Sequence, residues 1–227
     1  MFVKQTGMNT THTHTPVQRA SALAILNVLV KRYPQKGMMD LGNPEDTLIA
    51  TILSARTRDT QVLKIYPAFR KRFPTLRDLA RASVSSIATS INTIGMFRNK
   101  AKSIHALAER LISSFNGKVP GTMDELLTLP GVGRKTASCV LSSSFSVPAV
   151  AVDTHVFRIA HRLGWTTEND PDHVEEEIKT LIPKKRWSDV NRVIVQFGRD
   201  ICQPRTPHCY ACPVAKHCPF LPKTEKP

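Results

Sequence analysis

The sequence predicts an all-α fold. From Val17 onward, apolar residues recur at three- and four-residue spacing almost to the end of the chain, which is the period of a helix. Helix start signals recur along this pattern, and the segments between them are short and turn-like. Alternation of period two is confined to Val147–Val152, which is too short to build a sheet. A chain of 227 residues can bury one large helical core or two small lobes that share a cleft.

Three helix starts are marked by their capping residues. Asn43 and Asp170 are N-cap residue types, and each is followed directly by proline, which favours the first position of a helix. Thr122 and Glu125 have the spacing of a capping box before an apolar pair. These signals predict helices that begin after residues 43, 122 and 170.

The N-terminal segment 1–16 is polar, and we predict that it is a disordered tail. His12 and His14 in this segment could bind a metal ion, although two isolated histidines rarely make a site. The segment has no apolar stretch like that of a secretory signal, and no run in the chain reaches the roughly 20 apolar residues that span a bilayer. We therefore expect an intracellular protein, cytoplasmic or associated with the nucleoid, with no membrane partner.

The charge balance points to a polyanionic partner. Lysine and arginine number 32 against 18 aspartate and glutamate residues, which gives a formal net charge of +14. Nucleic acid is the first candidate, because neutralising phosphates releases counterions and supplies most non-specific affinity. A merely soluble basic protein is the alternative that charge alone leaves open.

Residues 129–137, LPGVGRKTA, form a hairpin between two predicted helices. Gly131 and Gly133 let the backbone turn tightly and expose successive N–H groups, while Val132 between them can anchor the turn in the core. At the start of the following helix, those N–H groups would suit a DNA phosphate. A Gly-x-Gly turn alone is common, but the full string matches the helix-hairpin-helix motif, which grips phosphate without recognising sequence.

Lys135 and Asp153 are the candidate catalytic pair. Lys135 follows Arg134 at the positive end of a predicted helix, and both neighbours should lower its pKa toward that of a nucleophilic amine. A lysine that only contacts phosphate is the alternative. Asp153 stands at the start of a later helix, where it could be an N-cap and nothing more.

Four of the five cysteines lie close together in the sequence, at Cys202, Cys209, Cys212 and Cys218, while Cys139 stands apart. In a reducing compartment such a cluster indicates a metal site rather than a disulfide framework. Thiolates suit zinc as well as iron–sulfur clusters, but structural zinc sites more often have two short cysteine pairs.

The strings LPGVGRKTA and VAVDTHVFRIAHRLGW resemble the catalytic core of the endonuclease III family, and the resemblance extends from about Leu48 to Cys218. It implies two helical lobes with the catalytic residues across the cleft. One lobe would span residues 37–147 and end in the hairpin 129–137. The other would combine residues 17–36 with 148–227 and carry a cluster loop at 202–218.

The resemblance also implies a base-excision DNA glycosylase with lyase activity toward oxidised pyrimidines. Lys135 would attack C1′ of a flipped-out nucleotide and form a Schiff base, assisted by Asp153. The hairpin residues that would bind the DNA backbone are Gly131, Val132, Gly133 and Arg134. The four clustered cysteines would bind a [4Fe–4S] cluster. The partner would be double-stranded DNA with damaged bases or abasic sites, bound by a monomer.

Two segments resemble the family's DNA-probing loops and depart from them. Met96 occupies the wedge position, where leucine is more usual, although Met96 and Phe97 could instead be core residues. Arg56 replaces the glutamine that typically probes the opposite base, and arginine can contact guanine or phosphate. Arg205 in the cluster loop would face the DNA backbone, unless it is simply solvated.

Two other functions stay open at this point. Arg56 is compatible with a glycosylase for mismatched or deaminated bases, such as uracil or thymine opposite guanine. A non-catalytic DNA-binding iron–sulfur protein would need only the hairpin and the cysteines, and would have no use for Lys135 and Asp153. An adenine-removing relative is disfavoured, because such relatives usually lack the hairpin lysine.

Overall fold

The computed structural model describes residues 14–34, 36–37 and 39–226. This part of the chain is helical and contains no strand, so the prediction of an all-α fold is confirmed. Its α-helices are α1 (Pro16–Arg32), α2 (Pro44–Ser54), α3 (Asp59–Arg72), α4 (Leu76–Arg81), α5 (Val84–Ser90), α6 (Phe97–Phe115), α7 (Met123–Leu127), α8 (Arg134–Ser144), α9 (Thr154–Arg162), α10 (Pro171–Leu181) and α11 (Trp187–Asp200). Short 3-10 helices cover Lys184–Arg186, Cys209–Ala211 and Ala215–His217. None of the described helices is both long and apolar enough to cross a membrane.

The first hydrophobic core lies among helices α2 to α8, and its buried residues run from Leu48 to Ala149. Helix α2 packs against α3, α6 and α8, and all of its residues from Thr47 to Ser54 are buried. Its nearly continuous apolar run suits a helix that is surrounded on all sides. Ile52, near the end of α2, lies against Gly131, so the hairpin before α8 is adjacent to the turn that follows α2.

The second core joins α1 to α9, α10 and α11, with α11 packed against α1 and α9. Gly198 lies where α11 crosses α9. A Cβ at Gly198 would lie 2.7 Å from His155 Nδ1 and 2.9 Å from Ile159 Cδ1, so only glycine allows this close approach. The packing fixes the start of α9, directly after Asp153, against α11.

The two cores meet in the chain between Ala149 and Val150, close to the predicted boundary between residues 147 and 148. The assignment of residues 37–147 to one domain, and of 17–36 with 148–227 to the other, stays a prediction.

The predicted helix starts at Asn43, Thr122 and Asp170 are confirmed, since each side chain accepts a backbone N–H of the first turn. The capping box at Thr122 is incomplete. Its hydroxyl donates to Glu125 Oε2 over 2.6 Å, so the glutamate accepts from the side chain of the cap rather than from its backbone N–H.

Most of the predicted tail at 1–16, including His12, lies outside the described residues. The prediction is wrong for its last two residues. Thr15 is the N-cap of α1 in a complete capping box with Gln18, and Pro16 begins the helix. A proline at the first helical position has no N–H to leave unpaired, which explains why α1 begins there.

Candidate active site

The hairpin before α8 is fixed by one glycine and one anchor. Gly131 has a φ of 79°, and a Cβ there would lie 2.8 Å from Ser103 Cβ, so both backbone conformation and space require glycine. Val132 is buried in the first core, as the sequence predicts. Its backbone N–H donates to the carbonyl of Leu129 over 3.2 Å, which closes the turn.

Helix α8 begins without a side-chain cap. Gly133 is its N-cap residue, and no described side chain accepts the N–H groups of the first turn. These groups have no acceptor within the helix, and they carry the positive end of the helix dipole. A Cβ at Gly133 would meet no atom within 4 Å, so internal packing does not require this glycine. The open helix end can therefore bind an anion.

Lys135 lies half-buried in the first turn of α8. Its pKa is raised above the ordinary lysine value, chiefly by the negative charge of the Cys139 thiolate one turn along the helix, and further by Asp153 and Asp59, whereas burial lowers it. The predicted drop in pKa is therefore wrong. The pKa rises because Cys139, Asp153 and Asp59 face the Lys135 amine. Arg134, which would lower the pKa, points away toward α10.

Asp153 is the N-cap of α9, and its carboxylate also faces Lys135. The Oδ1 atom accepts the backbone N–H groups of His155 and Val156 at 2.9 and 2.8 Å. Both cap bonds use one oxygen, so the second oxygen of the carboxylate is free of the cap. Burial raises the pKa of the Cys139 thiol, and the nearby Lys135 ammonium opposes this effect.

Burial lowers the pKa of His155, although the neighbouring Asp153 carboxylate opposes this effect. Its Nδ1 atom lies 3.3 Å from Nη2 of Arg158. His155 is therefore a partly buried histidine within hydrogen-bonding distance of Arg158.

Asp59 is a third acid near Lys135 that the sequence analysis missed. It begins α3 and accepts Nη2 of Arg199, in α11, over 2.7 Å. This ion pair connects a helix of the first core to a helix of the second. Asp59 ends the segment LSARTRD (residues 53–59), and nothing in the sequence indicates that α11 contacts this segment.

Arg134 points toward α10 rather than toward the open end of α8. Its guanidinium lies 3.0 Å from Glu175, 3.4 Å from Asp172 and 3.8 Å from Glu176. Glu175 is buried, and it also pairs with Lys179. In this structure the side chain joins α8 to α10, because a buried carboxylate there requires a partner, and DNA binding by Arg134 stays a prediction.

Two turns lie side by side: residues 55–58, which follow α2, and residues 93–96, which precede α6. We call them the two probe turns. Arg56 and Met96 each have a left-handed backbone, with φ of 52° and 57°. Met96 is 51% exposed and Arg56 is also exposed, so the alternative that Met96 is a core residue is wrong. Phe97, in contrast, packs against the first core. Arg205 is exposed, and no hydrogen bond or ion pair ties it to the described residues.

The four clustered cysteines line one small cavity with an almost wholly apolar wall. Among the described residues, no three His, Cys, Asp or Glu side chains are grouped so that they could hold a metal ion. Four thiols on one cavity are a donor set that suits a zinc ion as well as an iron–sulfur cluster. Nη1 of Arg162 lies 3.3 Å from Sγ of Cys202 and can donate to a thiolate there.

Residues 49–184 match the family model described as HhH-GPD superfamily base excision DNA repair protein. Endonuclease III of Thermotoga maritima is 41% identical over 87% of this chain and 92% of its own length. Endonuclease III of Synechocystis sp. is 42% identical over 89% of this chain and 93% of its own length. The chain belongs to the endonuclease III family.

Solved structures of the endonuclease III family share the fold. A trapped endonuclease III–DNA covalent intermediate superposes with a TM-score of 0.84 at 37% identity, covering 88% of this chain and 95% of that one. A thermostable thymine-DNA glycosylase is also similar, with a TM-score of 0.80 at 28% identity, covering 90% of this chain and 96% of that one. The all-helical fold is therefore that of endonuclease III.

The position of Arg134 leads to a prediction that separates two roles in this endonuclease III fold. If Arg134 joins α8 to α10, the variants Arg134→Ala and Glu175→Gln should each lower the free energy of unfolding by about 2 kcal/mol, and the double variant by little more than either single one. The salt dependence of binding to undamaged duplex should stay unchanged in Arg134→Ala. A salt slope smaller by about 1 would instead assign Arg134 to a phosphate.

Proposed function

We propose that this chain removes oxidised pyrimidines from duplex DNA and cleaves the strand at the lesion through a Schiff base on Lys135. As a member of the endonuclease III family, the chain is a base-excision repair DNA glycosylase with AP lyase activity. The observation that carries the proposed site is the approach of Asp153 to Lys135 beside the uncapped start of α8. An amine and a carboxylate at an anion-binding helix end suffice for both chemical steps.

In the first step, the amine of Lys135 attacks C1′ of the flipped-out nucleotide, and the bond from C1′ to the base nitrogen breaks. The base leaves with the electron pair of that bond and takes up a proton. The free oxygen of Asp153 stabilises the positive charge on the sugar and accepts the proton that the attacking amine loses. The sugar ring then opens to give the Schiff base.

In the second step, a proton is lost from C2′ and the C3′–O bond breaks, so the 3′ phosphate leaves with that electron pair. The protonated Schiff base withdraws electrons and makes the C2′ proton acidic. The strand is then cut on the 3′ side of the lesion, and hydrolysis frees Lys135.

The DNA would be held by elements that surround this pair. The open N–H groups of α8 would bind a phosphate, and Gly133 would let the backbone come close to it. The exposed Met96 would fill the stack left by the flipped base, and Arg56 would face the opposite base. Arg205 is free to contact the backbone. We infer a monomer that acts on damaged or abasic duplex.

We infer that the four cysteines lining the C-terminal cavity hold a [4Fe–4S] cluster. Bound there, such a cluster would cross-link the loop and add folding free energy, with no chemistry at the sugar. Arg162 supports this loop by donating to the carbonyls of Gln203 and Pro204, both at 2.7 Å.

The proposed [4Fe–4S] cluster leads to a prediction about the colour and the iron content of the purified protein. Protein purified without oxygen should be brown and contain about four irons and four sulfides per chain. Cys212→Ser should lose the colour and unfold at a lower temperature, whereas Cys139→Ser should keep the colour. A colourless protein with one zinc ion per chain would show that the site is a zinc site.

Borohydride trapping on a panel of duplexes tests the proposed function. The panel contains thymine glycol, uracil opposite guanine, thymine opposite guanine, and a preformed abasic site. We expect a covalent adduct on the thymine-glycol duplex as well as at the abasic site. No adduct on any duplex, with the cluster shown to be present, would overturn the mechanism and favour a DNA-binding protein without catalysis.

A mismatch glycosylase is the second candidate, supported by the exposed Arg56 and by the similarity to a thymine-DNA glycosylase. The identity of 37–42% to the endonuclease III relatives named above, against 28% to that glycosylase, favours oxidised pyrimidines. Excision of thymine or uracil opposite guanine as the dominant activity would reverse this preference. Arg56→Gln should then weaken discrimination between guanine and adenine opposite the lesion.

A further inference from the structure

The two probe turns touch each other at several points. A Cβ at Gly95 would lie 3.6 Å from both the carbonyl oxygen of Arg56 and Oγ1 of Thr57, so the backbones of the turns are in contact. Nε2 of Gln61, in the first turn of α3, donates to the carbonyl of Thr93. Arg56 and Met96, the exposed residues with positive φ, therefore lie on two turns whose backbones contact each other.

Lys100 is a buried residue that contacts both probe turns. It is only 5% exposed, and its Nζ donates to Oγ1 of Thr57 over 2.8 Å. The backbone N–H of Lys100 donates to the carbonyl of Met96 over 3.0 Å, so the residue is bonded to both probe turns. No carboxylate of the described residues pairs with it, and burial lowers its pKa to about 8.

A buried ammonium without a carboxylate partner destabilises the folded state, because burial disfavours the charged form. A residue of the same length and no charge would pack in this position at lower cost. The contribution of Lys100 is therefore to the geometry of the turns rather than to stability.

We propose that Lys100 is a positioning residue that holds the two probe turns as one rigid unit, so that Arg56 and Met96 enter a damaged duplex together. This inference rests on the proposed function. Without the bond from Lys100 to Thr57, the first probe turn is free to move relative to the second, and ordering it again on DNA costs free energy. This free-energy cost weakens binding at a lesion, where Arg56 and Met96 insert, and does not affect binding to intact duplex.

The test compares the affinity for a duplex containing tetrahydrofuran, a stable abasic-site analogue, with the affinity for the same duplex undamaged. Lys100→Met and Thr57→Val should each weaken binding to the tetrahydrofuran duplex about tenfold and leave binding to undamaged duplex unchanged. The double variant should be no weaker than either single variant, since both remove the same bond. Lys102→Met removes an exposed charge two residues away, and should leave the ratio of the two affinities at the wild-type value.

Thermal unfolding separates positioning from a purely structural role. Lys100→Met should unfold at the same temperature as the wild type or higher, because the variant no longer buries an unpaired charge. Unchanged affinity ratios in both Lys100→Met and Thr57→Val, or additive losses in the double variant, would overturn the inference. If the wild-type protein itself fails to prefer the tetrahydrofuran duplex, the proposed function fails first and this inference fails with it.

Discussion

Replacing Lys135 with glutamine is expected to abolish the borohydride adduct and to slow strand cleavage at an abasic site by at least about 10³-fold. Glutamine keeps a polar side chain of nearly the same length but has no nucleophilic amine. The open N–H groups of α8 are backbone groups and are unaffected, so affinity for a tetrahydrofuran duplex should stay within about threefold of the wild type.

Lys31→Gln is the matched control, because Lys31 is an exposed lysine on α1, which belongs to the second core. It should trap DNA as the wild type does. An adduct of normal yield in Lys135→Gln would assign the Schiff base to another amine. Loss of DNA binding together with trapping would instead mean that Lys135 acts mainly on phosphate, the alternative that the sequence left open.

The raised pKa of Lys135 predicts how this step depends on pH. The ammonium is not nucleophilic, and a pKa above the ordinary lysine value keeps most of the amine protonated near neutrality. The single-turnover rate on a preformed abasic site should therefore rise steadily between about pH 6 and about pH 9. A plateau that begins near neutral pH would contradict the raised pKa and support the lowered value expected from the sequence.

Features that depend on neighbours in the sequence were predictable. The tight turn at Gly131, the anchoring of Val132 and the N-cap of Asp153 each follow from a few adjacent residues, and the structure shows all three. Helical periodicity likewise determines the fold class, because it records which faces are buried.

Features that depend on distant helices were not predictable from one sequence. Arg134 belongs to the hairpin sequence LPGVGRKTA, but its ion-pair partners lie in α10. Its side chain therefore connects α8 to α10. The pKa of Lys135 was predicted with the wrong sign partly for this reason: besides Cys139 on the same helix, Asp153 and Asp59 reach the amine from distant parts of the chain. Local sequence gives the helix dipole and the adjacent charge, whereas tertiary packing brings in the opposing carboxylates.

Asp153→Asn should reduce the rate of base excision by roughly 10²- to 10⁴-fold while the protein stays folded. Asparagine is as good an N-cap as aspartate, and its side-chain oxygen can accept the N–H groups of His155 and Val156 that Oδ1 accepts now. The variant loses the negative charge that would stabilise the sugar and accept the proton of Lys135. Excision and thermal unfolding, measured on the same preparation, check both parts.

Asp170→Asn is a matched control, because Asp170 caps α10 in the same way, with Oδ1 accepting the N–H groups of Asp172 and His173 at 2.9 and 3.2 Å. Asp170 is exposed and is not among the charges that raise the pKa of Lys135. If capping were the whole role of Asp153, the two substitutions would have equally small effects on stability and on excision. A large loss of excision in Asp153→Asn alone, at equal stability, assigns the carboxylate to chemistry, since the two variants make the same change at the same kind of helix end.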